Sequence, residues 1–279
     1  MAWWSRLAVA VLAAVAVGGG GYWWWTQQRP AAPVPAPQPP LAASASVPDV
    51  AASAPPAVRY PIEDVAAGVE AELPAAPADA ERLVADALVV LLGRKDVQSF
   101  VQLDGFVRRA VTTIDNLGRA QASARLWPVT PTRGRFGTVE RGGSTTIAAA
   151  NAERYMPFVR FATDIDAARA AALYVRLYPL FQRAYDELGY PGRHFNDRLV
   201  DVIDLLLATP EPAAAPTLRL TEVQGPMADP RPWVRYEFAD PTLEARPAGQ
   251  KILLRIGSRN ARLLKDKLRE FRAQIVKAR

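Results

Sequence analysis

The stretch from Ala167 to Thr209, AARAAALYVRLYPLFQRAYDELGYPGRHFNDRLVDVIDLLLAT, decides the fold. Leu173, Leu177, Leu180, Phe181, Ala184 and Leu188 recur at steps of three and four, which places them on one helix face. Tyr174, Tyr178 and Tyr185 run beside that row and widen it. Gly189 stands where a left-handed residue ends a helix, and Pro191 blocks continuation. Asn196 is the expected cap of a second helix, with Asp197 in its first turn and Phe195 and Val200 spaced as a hydrophobic staple. Leu199, Val202, Ile203 and Leu206 form the apolar stripe of that helix. The pattern predicts a helical hairpin, its first arm kinked at Pro179 by loss of the bond to the Val175 carbonyl.

Outward from the hairpin, composition divides the 279-residue chain into three parts. Leu7 to Trp25 is an uncharged run of nineteen residues. As a helix it would span roughly 28 Å, close to the hydrocarbon thickness of a bilayer. Trp3 and Trp4 lie at one end and Tyr22 to Trp25 at the other, where interfacial aromatics sit. A cleaved signal peptide with an apolar core from Leu7 to Val17 is the competing reading, but the distal aromatics have no purpose in it. Residues 1–29 are therefore expected to be a membrane anchor, N-terminus inside, with Gly18 to Gly21 weakening its outer end. Twelve of the 25 prolines fall between Pro30 and Pro77, so residues 30–78 read as an extended Pro/Ala-rich linker unable to bury enough apolar surface to fold.

Residues 79–279 carry the apolar periodicity and are expected to form one soluble domain, mostly α with a minor β component. Asp79 is the expected cap of a helix to Leu92 that stops at Gly93, and Phe106 to Leu117 gives a second helix. Val97 to Val101 is a short apolar piece. LWPV, RGRFGTVE and GGSTTI, between Arg125 and Ile147, read as a small β region. Asn151 is expected to cap a helix to Phe161 bent at Pro157, and Thr217 to Val223 and Trp233 to Phe238 alternate as strands do. Ser258 opens a terminal helix whose Leu264, Leu268, Phe271 and Ile275 are apolar and whose basic residues are expected outside.

Charge follows the same division. Residues 82–279 carry 31 basic against 21 acidic groups, a surplus that favours anionic neighbours, although an Arg- and Ala-rich coding bias gives the same pattern. Arg262, Lys265, Arg269 and Arg272 on the terminal helix are the candidate binding surface. The absence of cysteine excludes disulfides and thiolate chemistry, and the single histidine, His194, excludes the common zinc sites. No phosphate loop and no nucleophile elbow occurs, so no catalytic, cofactor or metal residue is assigned. Asp197, Asp201 and Asp204 share one helix face and form an alternative acidic row for a hard cation or acid–base work.

Five segments point further: LGYPGRHFNDRLVDVIDLLLATPE, ARLWPVTPTRGRF, VTTIDNLGR, YEFADPTLEARPAGQKILLRIG and the basic terminal helix. With them the chain resembles a bacterial family known as domain of unknown function 3014, over nearly all of residues 79–279. The resemblance implies one membrane span, a Pro-rich linker and one soluble domain, and brings no activity, cofactor or catalytic residue with it. His194 stands where that family carries other residue types, which weighs against a catalytic histidine. The expected protein is a single-pass envelope protein of the bacterial inner membrane, its domain facing the periplasm and binding a protein partner or an anionic polymer. The alternatives are an envelope hydrolase using the helix carboxylates and a cytoplasm-facing nucleic-acid binder. The second lacks recognisable motifs and interleaved exposed aromatics.

Overall fold

A computed structural model describes residues 57–62, 74, 76–221 and 232–277, all within one compact unit, Ser53–Arg279. The expected anchor, residues 1–29, and most of the linker lie outside the described residues. No helix among the described residues is long and apolar enough to cross a membrane. The unit is mostly helical with one small antiparallel sheet, as the periodicities predict.

The hairpin is present. Helix α5 (Ala167–Glu187) begins where Asp166 accepts the Arg169 N–H, and it ends before Gly189, whose φ is +105°. Helix α6 (Phe195–Leu207) follows the turn. Both rows face the core: Leu177, Leu180 and Phe181 of the first and Tyr174, Tyr178 and Tyr185 of the second are buried, while Leu188 at the end is 38% exposed. Burial pushes the Tyr178 hydroxyl up to about 12. The arms touch each other less than they touch α3 (Phe106–Leu117) and the terminal helix α9 (Ser258–Lys277), so the core is a four-helix arrangement around the hairpin. Pro179 and Pro157 both lie inside continuous helices, α5 and α4 (Ala150–Asp164), and neither ends its helix.

Several assignments change. Asn196 does not cap α6; His194 occupies that position, and Asn196 is fully buried. Its Oδ1 accepts from the Tyr174 hydroxyl at 3.2 Å and its Nδ2 donates to the Tyr60 carbonyl at 2.9 Å, so the amide is satisfied without water. Asn151 is likewise buried rather than capping, holding both the N–H and the carbonyl of Gly137. Helix α1 (Pro77–Leu92) starts two residues before Asp79, with proline at its first position. Val97 lies inside a short helix, α2 (Arg94–Phe100).

The sheet begins with a hairpin, β1 (Thr138–Arg141) and β2 (Ser144–Ile147), joined by Gly142 and Gly143. Both glycines have positive φ, 56° and 77°, as the two-residue turn matching strand twist requires. Strands β3 (Thr217–Leu220) and β4 (Tyr236–Phe238) complete the antiparallel order β1-β2-β3-β4. A one-turn helix, α7 (Pro241–Glu244), follows, and then α8 (Ala248–Arg255), whose periodicity the sequence reading did not resolve. Helix α8 joins bundle to sheet. Leu253 packs with Val202, Leu206 and Ile256, while Leu254 packs on Leu218 and Phe238 of the sheet.

Residues 57–62, within the stretch expected to be free linker, form a docked strap. The N–H groups of Arg59 and Tyr60 both donate to the Asp197 carboxylate, and the Arg59 guanidinium reaches Asp201 at 2.6 Å. Ile62 is 3% exposed and joins the main core. Burying an isoleucine stabilises by roughly 1.5–3 kcal/mol. A chain beginning at Ser53 is therefore expected to unfold at a higher urea concentration than one beginning at Asp79. Coincident midpoints would show that the strap adds nothing.

Candidate functional site

One concave feature among the described residues is a cleft of about 750 Å³ between the bundle and the sheet, within the range of about 300–1,000 Å³ typical of ligand pockets. Its first wall is α8. Ala248, Lys251, Ile252 and Arg255 fall at i, i+3, i+4 and i+7, so one helix face lines the cleft. The opposite wall is the segment after α3. Trp127 precedes Pro128, which favours extended backbone, and its φ and ψ are −70° and 142°. The segment is pinned by Gln102 N donating to the Pro128 carbonyl, Thr130 N to the Phe100 carbonyl, and the Thr113 hydroxyl to the Leu126 carbonyl. Tyr155, Phe158 and Val159 of α4 form the floor, and Tyr236 and Glu237 of β4 the rim.

The polar groups are few and placed at one end. Lys251 Nζ bonds Glu244 Oε1 at 2.8 Å, and Glu244 Oε2 accepts the Phe238 N–H at 2.9 Å. Burial opposes ionisation of Glu244, but these two hydrogen bonds outweigh it and hold its pKa below the usual carboxylate range. Arg255 donates to the Tyr236 carbonyl at 2.9 Å and lies over the Phe238 ring. Burial pulls the Arg255 pKa below the ordinary arginine value, against the opposing charges of Glu244, Tyr155 and Glu237. Trp127 Nε1 and Thr221 Oγ1, on two residues that line the cleft, are buried without a hydrogen-bond partner among the described residues. Glu244 and Arg255 also occupy the outward N–H of Phe238 and carbonyl of Tyr236, so the β4 edge is closed to an added strand.

The residues singled out in the sequence lie elsewhere. Of the terminal-helix surface, Lys265 is 4% exposed and donates to the Thr209 carbonyl at 2.8 Å and to Glu211 at 2.9 Å, so it is not on the outside. Arg262 also faces Glu211, and Arg269 pairs with Asp266 on its own helix. Arg272 makes two bonds to Asp204, at 2.6 and 2.9 Å, so the basic surface and the acidic row neutralise each other there. Asp197 and Asp201 are taken by the strap. No group of three or more acidic or histidine side chains among the described residues could hold a metal ion. His194, Asp197 and Asp201, but not Asp204, border a second, polar cleft with Asp115, Arg119 and Arg193. None of the lining of the Trp127 cleft was legible as a site, because it converges from separate segments carrying no motif.

Lys265→Gln removes the partner of a buried carbonyl and is expected to cost about 1–3 kcal/mol. Arg269→Gln, whose ion pair is exposed, is expected to change stability by less than about 0.5 kcal/mol. The Lys265 hydrogen bond holds the Glu211 pKa below its usual range. The stabilisation from that pair is therefore complete above the unfolded carboxylate value, about 4.3, and fades as pH falls through the lower folded value. Urea melts of both variants at pH 7 and pH 3 are expected to show the Lys265→Gln deficit narrowing in acid.

No curated protein and no solved structure matches the chain. One family model does, over residues 106–272, more than half of the sequence, from α3 into α9 and with the whole lining of the Trp127 cleft. The chain belongs to the family described as Protein of unknown function (DUF3014).

Proposed function

We propose that this protein is a non-catalytic binding domain, tethered to the bacterial inner membrane by residues 1–29 and facing the periplasm. The Trp127 cleft takes an acidic, partly apolar segment of an envelope protein. The observation that carries the reading is the cleft itself: apolar walls of Val129, Phe158, Val159 and Ile252 beside the Arg255 guanidinium and an indole N–H without a partner among the described residues. Apolar side chains suit the walls, and a carboxylate suits the Lys251–Arg255 end, whereas a uniformly polar polymer would leave the walls unfilled. The tether is supported by the uncharged aromatic-flanked run from Leu7 to Trp25. Acid–base catalysis by Asp197, Asp201 and Asp204 is disfavoured because each carboxylate is already engaged, by strap amides, Arg59 or Arg272.

The test uses two fluorescent probes with the same ring system, one carrying a sulfonate and one neutral. On a chain beginning at Ser53, 8-anilinonaphthalene-1-sulfonate is expected to bind at one saturable site and at least fivefold more tightly than neutral N-phenyl-1-naphthylamine. Ala122→Trp, which fills the cleft mouth, is expected to abolish binding, and Lys251→Gln to narrow the preference for the anion. Equal affinities for the two probes, or binding indifferent to Ala122→Trp, would remove the cleft from the account.

A further inference from the structure

We propose that the polar cleft between α3, the α5–α6 turn and the strap is a second site, one that binds a phosphate group. This goes beyond the Trp127 cleft and shares no lining residue with it. The cleft has a volume of about 490 Å³, and four arginines line it: Arg59, Arg119, Arg193 and Arg198.

The carboxylates present do not balance these cations where the cleft opens. Asp115 is 4% exposed and is shared by two guanidinium groups, Arg119 at 2.6 Å and Arg198 at 3.0 Å. Arg198 also donates to the Asp115 backbone carbonyl at 2.7 Å, so it is fixed. One carboxylate against two arginines leaves a unit of positive charge. Arg193 adds another, since its side chain has no carboxylate partner among the described residues. Asp197 and Asp201 turn their charge toward the strap, the first to two backbone N–H groups and the second to Arg59. Over the whole lining, four arginines stand against three carboxylates, Asp115, Asp197 and Asp201, and the surplus positive charge lies on the α3 side, where it suits a phosphate oxygen.

The Arg119 and Arg198 side chains and the backbone that carries Arg193 are held in place. The Arg193 N–H bonds the Tyr190 carbonyl at 3.1 Å, and its carbonyl accepts from Gln182 at 2.7 Å, so the turn presenting the free guanidinium is rigid. Tyr190 stacks on Tyr185 with ring centres 4.6 Å apart, and its hydroxyl is shared between Arg119 and Asp115. Arg119 is half exposed, which leaves its remaining N–H groups available. Planar guanidinium forks of this kind bind phosphate oxygens in pairs.

A phosphate could come from a free metabolite or from a phospholipid headgroup at the membrane surface. Titration calorimetry on the full-length chain in neutral detergent separates the two, with inorganic phosphate as one probe and the short-chain lipid dihexanoylphosphatidylglycerol as the other. Saturable one-site binding of at least one probe is expected, weakened tenfold or more by Arg193→Ala and less by Arg193→Lys. Binding of inorganic phosphate at least as tight as that of the lipid identifies a free phosphate ligand; a clear preference for the lipid identifies the headgroup. Ala122→Trp, which blocks only the Trp127 cleft, is expected to leave these heats unchanged, so failure of one site does not imply failure of the other. Absence of saturable binding by either probe, or affinity unchanged in an Arg193→Ala chain that melts as the parent does, would overturn the proposal.

Discussion

The arrangement depends on one close approach, that of the α8 backbone at Gly249 to α3 and α6. A Cβ at that position would lie 2.6 Å from a methyl group of Leu206 and 3.1 Å from the Leu117 carbonyl oxygen. The Ala248 N–H bonds the Arg119 carbonyl at 2.7 Å and fixes the depth of insertion. With its backbone wedged there, α8 directs each remaining face to a different neighbour: Leu253 to the bundle, Leu254 to the sheet, and Lys251, Ile252 and Arg255 to the cleft. A short helix of this kind gains little from its own backbone bonds, and its stability comes from packing. The cleft wall exists because the wedge does.

Along α9, charge is organised by pairing. The domain is strongly basic in sequence, yet Arg262, Lys265, Lys267, Arg269 and Arg272 are met by Glu211, Asp204, Asp266 and Glu270. Exposed pairs of this sort contribute little to stability, but they cancel the field that a bare basic helix would project. Part of the positive charge lies in recesses, at Arg255 in one cleft and around Arg119 and Arg193 in the other, while Arg94, Arg141, Arg160, Arg176 and Arg183 stand exposed on the surface. In such recesses reduced hydration strengthens each interaction with a ligand of opposite sign.

Elements with long local patterns were legible in the sequence. The helix from Phe106 to Leu117, both hairpin arms and the Gly142-Gly143 turn follow from periodicity and turn chemistry alone. Helix α8 was not, because eight residues give only two turns of pattern, and its preceding Pro247 also reads as a breaker. Burial of Asn196 and Lys265 was invisible for a different reason. Each is satisfied by a group distant in sequence, Tyr60 for one and Thr209 with Glu211 for the other, and a polar residue without visible partners reads as exposed. The acidic row was legible as a row but not in its use, since the strap that occupies it lies in a stretch whose composition resembles free linker.

The wedge at Gly249 is tested most directly by amide hydrogen exchange on Gly249→Val. A branched side chain there must push α8 away from Leu117 and Leu206, while the contacts of α5 with α3 and α9 do not involve it. The expected result is loss of protection confined to α8, β4 and the segment around Trp127, with α5, α6 and α9 still protected. Protection unchanged along α8, or lost uniformly through the domain, would contradict the claim that this one contact positions the cleft.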